Sequence, residues 1–180
     1  MLRAAGFDPE VLVTGVDEDH VQATNARGIV LELAARKARA AAAKVPSGLV
    51  LGCDSLLELD GQPLGKPYTA EVALDRWRSM RGRSGTLCTG HCIVDAATGT
   101  EVEGVGATVV RFGTPTNEEL DAYIATGEPL RVAGAFTLEG RSAPFIDGVD
   151  GDSSNVTGLS LPLLRTLLGR LGVRITDLWS

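Results

Sequence analysis

Residues 48–59 read GLVLGCDSLLEL, a run of apolar and small residues long enough to cross a sheet, and Asp60-Gly61 follows at once. An Asp-Gly pair supplies the two positive-φ positions of a tight hairpin, so the run is expected to be a buried strand that turns back into an antiparallel neighbour. A chain built on such a hairpin does not follow the strict strand-helix-strand alternation of a doubly wound fold. One residue is out of keeping with burial. Asp54 places a carboxylate in the middle of the run, with Ser55 beside it, and Lys66 stands a few residues on in a Gly65-Lys66-Pro67 turn.

The remaining elements follow from periodicity and caps. Residues 30–45, VLELAARKARAAAAKV, are Ala-rich with Glu32 and Arg36 four apart, and a helix is predicted there. At 100° per residue Glu32, Arg36 and Arg39 share a polar face, while Lys37 falls among Val30, Leu33, Ala34 and Ala41. A lysine there either snorkels from the edge of the core face or has a partner within reach. Thr69 caps a helix through Met80 with Ala73, Trp77 and Met80 facing inward, and Gly82 follows it. Strands are predicted over 86–94 and 101–112, joined by the turn DAATGT. Thr116 to Glu119 is a capping box opening a helix to Thr126, with Gly127 as its stop. Residues 130–158 read as loop and short strand, and Ser160 caps a last helix. These elements give one α/β or α+β domain over residues 1–180 with a mixed sheet and flanking helices. The opening MLRAAG ends like a helix closed by Gly6 but has no helix start. Either a strand and helix start lie upstream of Met1, or this is a frayed terminal turn.

Bulk properties narrow the function. The 180 residues are 44% hydrophobic and 22% charged, which suits one soluble globular domain. No apolar stretch approaches the roughly 20 residues of a membrane span, and the N-terminal residues lack a signal-peptide pattern, so no membrane partner and a cytoplasmic location are expected. A net charge of −6 argues against nonspecific nucleic-acid binding. Three cysteines, Cys53, Cys88 and Cys92, cannot all pair and fit a reducing compartment. In a strand over 86–94, Cys88 and Cys92 would face one side and His91 the other, which speaks against a zinc site.

Four charged features then stand out: the cluster Asp17-Glu18-Asp19, Lys37, Asp54 and Lys66. Burying any of them alone would cost several kcal/mol, whereas carboxylates around a divalent cation and ammoniums around a polyphosphate neutralise one another. Glycine and proline on either side would hold Lys66 in a fixed turn. No Walker loop, HExxH, GxSxG or CxxC motif is present, so nucleophilic and zinc chemistry are disfavoured.

The segments VDED (16–19), LAARKA (33–38), LGCDSLLELDGQPLGKP (51–67), TGHCIV (89–94), TGEPLRVAGAFTLEG (126–140) and SNVTGLSLPLL (154–164) resemble, in order and spacing, the Maf family of nucleoside triphosphate pyrophosphatases. The resemblance implies an inosine-triphosphate-pyrophosphatase-like fold with a cleft between two lobes, often dimeric. It implies cytoplasmic cleavage of a nucleoside triphosphate to monophosphate and pyrophosphate with Mg²⁺ or Mn²⁺, and a house-cleaning role on modified or noncanonical nucleotides. The family has also been linked to arrest of septum formation, so a catalytically weak nucleotide-binding regulator of cell division is the alternative. By matching position, Asp54 is the catalytic proton acceptor and Glu18 the second acid, both beside the metal. Lys37 and Lys66 face the phosphates, and Ser55, Gly65 and Glu139 contact substrate.

Three departures from the family pattern bear on activity. The family's N-terminal Ser-x-Ser-x-x-Arg segment, which helps hold the triphosphate, is absent from these residues. Ser55 stands where threonine is usual and keeps the hydroxyl. Val132 and Glu139 replace the Lys and Gln of members that prefer dTTP and UTP, and Glu139 is closer to the form seen in members that prefer 7-methyl-GTP. A carboxylate accepts two hydrogen bonds from guanine N1 and N2 donors, which makes 7-methyl-GTP an alternative substrate.

Overall fold

The computed structural model describes residues 1–18 and 20–180; Asp19 of the acidic cluster lies outside the described residues. Its centre is the predicted strand, β1 (Leu49–Leu59), which turns at Asp60 and Gly61, φ 51° and 77°, into the short β2 (Gln62–Leu64). Both φ values are positive, the condition that the Asp-Gly pair was read to satisfy. β3 (Ser84–Asp95) and β4 (Glu101–Phe112) complete a hairpin beside β1, and β5 (Ile146–Asp150) forms the far edge in the order β2-β1-β3-β4-β5.

All four pairings among the described residues are antiparallel. The α/β layering holds, while the parallel pairing that a mixed sheet would add is not among them. β3 runs beyond the predicted 86–94 at both ends because Ser84↔Arg111 and Leu49↔Asp95 extend its ladders. Residues 7–18, which lead into the acidic cluster, form no strand.

Helices cover both faces. α1 (Ala26–Ala42) begins four residues before the predicted start, because Asn25 caps it by accepting the Gly28 N–H at 2.8 Å. It lies on the face carrying Gly52, Cys88, Gly90 and Cys92, with Val30, Ala34 and Ala38 fully buried. A Cβ added at Gly52 or Gly90 would overlap the α1 backbone at Ala34 and Val30, so these two glycines let helix and sheet approach closely.

The opposite face is covered by α2 (Ala70–Met80), α3 (Asn117–Ala125), α4 (Ser153–Val156) and α5 (Leu161–Arg170). Thr69, Thr116 and Ser160 cap α2, α3 and α5 as read, and the capping box at Thr116 is complete. Two apolar clusters share this face. Leu57, Leu87 and Phe112 pack with Trp77, Tyr123 and Phe136 at one end, and Ile93 packs with Leu159, Leu164, Leu167 and Leu168 at the other. Trp77 meets Phe112 and Tyr123 edge to face, with centroids 5.8 and 5.9 Å apart. Residues 54–56 of β1 cross the boundary between the two ends.

The three cysteines are free, and burial pushes the Cys53 thiol up to about 12 and Cys92 to about 11. Cys88 and Cys92 pack under α1, whereas His91 faces α5 and receives the Ser160 N–H on Nε2 at 2.8 Å. The described residues include no group of three or more His, Cys, Asp or Glu placed to hold a metal. None of the described helices is long and apolar enough to cross a membrane.

Candidate active site

The close seating of α1 on β1 brings together the four charges that the sequence singled out. Lys37 projects from α1 at the level of Asp54, and its Nζ lies 2.6 Å from Asp54 Oδ1 and 2.7 Å from Glu18 Oε1. Lys66, at the end of the hairpin, reaches Glu18 Oε2 at 3.2 Å. The result is an alternating chain Asp54–Lys37–Glu18–Lys66, with side chains 12%, 22%, 35% and 38% exposed in that order. Lys37 therefore does not snorkel; it is the hub between two acids.

Burial acts most strongly on Asp54. Desolvation raises its carboxyl above the usual range, and the Lys37 ammonium only partly opposes this. Glu18 is held low, first by its hydrogen bond from Lys37 and further by Lys66. Lys37 is itself desolvated, yet its bonds to Asp54 and Glu18 outweigh that and leave it above the ordinary lysine range. Asp54 is the deeper of the two and accepts one ammonium, while Lys37 serves two carboxylates. Asp54 emerges as the more basic acid, and its Oδ2 accepts no hydrogen bond from the described residues.

The Gly65-Lys66-Pro67 turn is fixed from two sides. The Gly65 carbonyl accepts from the Arg76 guanidinium and from the Gly134 N–H at 3.2 Å, and the Tyr68 N–H donates to the Leu130 carbonyl at 2.9 Å. Gly65 thus shapes the turn through its backbone and lines neither of the cavities described below.

Successive strand residues face opposite sides, so Ser55 points away from Lys37. Its Oγ lies 2.8 Å from Thr89 Oγ1, and it lines a cavity of about 400 Å³ with Glu139, which is exposed at the mouth. The loop carrying Glu139 is braced by Glu128, whose Oε1 accepts from Thr137 Oγ1 at 3.0 Å and from the Arg141 N–H at 2.9 Å. Beneath it the Ala135 carbonyl, at a backbone φ of 61°, accepts from the Trp77 indole at 2.8 Å. A second cavity of about 580 Å³ runs along Leu49–Cys53 and includes Lys37. The structure thus brings Asp54, Glu18, Lys37 and Lys66 into contact and sets Ser55 and Glu139 together on the other side of β1. Sequence reading missed Thr89 and Glu128: a threonine on a strand looks like β-branched filler, and a glutamate after Gly127 looks like a solvated loop.

Two carboxylates held by one lysine suit a hard divalent cation that keeps waters and takes its other oxygens from a phosphate. Glu18 and Asp54 therefore fit such an ion.

Comparison with known proteins gives a consistent answer. Residues 1–171 match the family described as Maf-like protein. A protein of Streptomyces coelicolor named nucleoside triphosphate pyrophosphatase is 62% identical over 182 residues, spanning all of this chain and 88% of that one. Proteins of the same name are 59% identical in Streptomyces avermitilis, over all of this chain and 88% of the relative, and 50% identical in Salinispora tropica, over 99% and 81%.

Proposed function

The chain belongs to the Maf-like protein family, and from that premise we propose that it is an acid-anhydride hydrolase that cleaves a nucleoside triphosphate to the monophosphate and pyrophosphate. The observation that carries this reading is the chain of alternating charges Asp54–Lys37–Glu18–Lys66 where α1 is seated on β1. Asp54 accepts the proton of the attacking water, and its raised pKa makes it a better base than a solvated aspartate. Lys37 and Lys66 exchange carboxylate for phosphate oxygens and offset the charge that develops on them. Glu18 and Asp54 would hold a Mg²⁺ or Mn²⁺ ion, which polarises phosphoryl oxygens and orients water when bound.

The substrate extends to modified or noncanonical nucleotides in a cytoplasmic house-cleaning role, for which three free thiols suit a reducing compartment. The placement of Glu139 in the Ser55 cavity favours a second reading in which 7-methyl-GTP is preferred, since a carboxylate matches guanine N1 and N2 donors. The active species is expected to be a homodimer, to be checked by light scattering.

Product analysis of UTP, dTTP and 7-methyl-GTP with Mg²⁺ or Mn²⁺ tests these readings. Monophosphate plus pyrophosphate is expected, and Asp54→Asn is expected to lower kcat by about 10²–10⁴-fold. Retained turnover in Asp54→Asn removes the mechanism, and a wild type that binds nucleotide without cleaving it makes the chain a nucleotide-binding regulator of cell division. Glu139→Gln is expected to lose about 10–100-fold of any preference for 7-methyl-GTP over UTP, the worth of one charge-assisted hydrogen bond; an unchanged ratio frees the base reading from Glu139.

A further inference from the structure

Proton direction can be worked out for the hydroxyls around the 400 Å³ cavity. Thr89 is fully buried on β3, and its Oγ1 lies 2.9 Å from the Asn155 carbonyl oxygen and 2.8 Å from Ser55 Oγ. A carbonyl only accepts and a threonine has one hydroxyl proton, so Thr89 donates it to Asn155. The proton between Ser55 and Thr89 must then come from Ser55. Ser55 is held with its O–H turned into the protein and its free lone pair left for the cavity, where its Oγ stands 4.0 Å from the position a Cβ on Gly158 would take.

The other side chains around the cavity follow the same rule. Thr137 Oγ1 donates to Glu128 Oε1 at 3.0 Å, Thr157 Oγ1 donates to the Ser154 carbonyl at 2.9 Å, and the carboxylates of Glu128 and Glu139, when ionised, are acceptors and not donors. The side chains therefore present a lining of acceptors.

We propose that Ser55 accepts a hydrogen bond from a ribose hydroxyl or the exocyclic amine of the bound nucleotide, and that Thr89 is the positioning residue that enforces this direction by consuming the Ser55 proton. The proposal rests on the nucleotide site proposed above. Without Thr89 the Ser55 hydroxyl would rotate and present a donor to a donor. Threonine at residue 89 is therefore needed for its proton bookkeeping rather than for its bulk, since valine has nearly the same shape.

The test is calorimetric binding of α,β-methylene-GTP with Mg²⁺, which is independent of hydrolysis. Ser55→Ala and Thr89→Val are each expected to weaken Kd by about three- to tenfold, the worth of one hydrogen bond. Ser55→Ala/Thr89→Val is expected to bind no more weakly than Ser55→Ala alone, and Thr89→Ser to bind within about twofold of wild type. A Thr89→Val protein that binds like wild type, or a double variant whose losses multiply, overturns the relay.

Two further ligands serve if Thr89→Val does not fold. The Ser55→Ala penalty disappears with the 2′,3′-dideoxy analogue if the donor is a ribose hydroxyl, and with the inosine analogue if it is the guanine amine. A penalty unchanged with both overturns the proposal, as does a wild type that binds none of these nucleotides. Binding without turnover would remove the pyrophosphatase reading and leave the relay standing.

Discussion

His91 is useful to the fold only while uncharged. Its ring is fully buried, with Nδ1 3.0 Å from the Thr89 carbonyl and Nε2 accepting the Ser160 N–H that opens α5. Nδ1 must carry the proton, and desolvation holds the ring below the ordinary histidine range. Because the folded pKa is depressed, the unfolded chain binds more protons below about pH 6.5. Stability is then present above that pH and is lost as pH falls toward the folded pKa, by at most about 1.4 kcal/mol per pH unit for one proton. Urea midpoints at pH 7.5 and 5.5 should therefore differ in wild type, with a smaller difference in His91→Gln. At this scale the charged site was readable because Asp54 and Lys37 each break an apolar pattern that physics would otherwise forbid. Glu18 could be picked from its acidic neighbours only through the family resemblance. Thr89 and His91 left no such mark, since either type is ordinary in a buried strand.

Among the elements, α1 decides whether the site exists. Its polar residues are tied at the rim, Arg36 to Glu32 and Arg39 to Glu101, while Gly52 and Gly90 admit its backbone to the sheet beneath Lys37. Gly52→Ala puts a methyl group into the Ala34 carbonyl, so α1 must move outward, and overpacking of this kind costs about 1–3 kcal/mol. Activity is expected to fall more than stability does, because Lys37 reaches Asp54 from a fixed helix position. Melting temperature and kcat/KM measured on the same variant would check this; wild-type activity in a folded Gly52→Ala protein would show that the docking distance does not matter. Strand and cap positions were legible in the sequence because Asp60-Gly61, Thr69, Thr116 and Ser160 carry local chemistry. The start of α1 was not, since Arg27 and Gly28 dilute the helical pattern and Asn25 is recognisable as a cap only once the Gly28 N–H points at it.

Across the whole molecule, β1, β3 and β4 are long enough to lie under both apolar ends, so neither lobe has a sheet of its own. The two lobes should unfold together. Trp77 is fully buried in one end, whereas Trp179 is 57% exposed near the other, close to Gly6. Denaturant curves of Trp77→Phe and Trp179→Phe are expected to share one midpoint once corrected for the stability each change costs; separated, probe-dependent transitions would mean that the lobes melt apart. The alternating charges of the site have one further consequence, which concerns arrival rather than chemistry. Two acids and two ammoniums within hydrogen-bonding distance sum to zero, so these four side chains project little field beyond a Debye length of about 8 Å at physiological ionic strength. An incoming triphosphate instead meets a body of net charge −6. Electrostatics therefore slows its approach instead of steering it, and added salt, by screening that repulsion, should speed association where it would slow capture by a basic pocket.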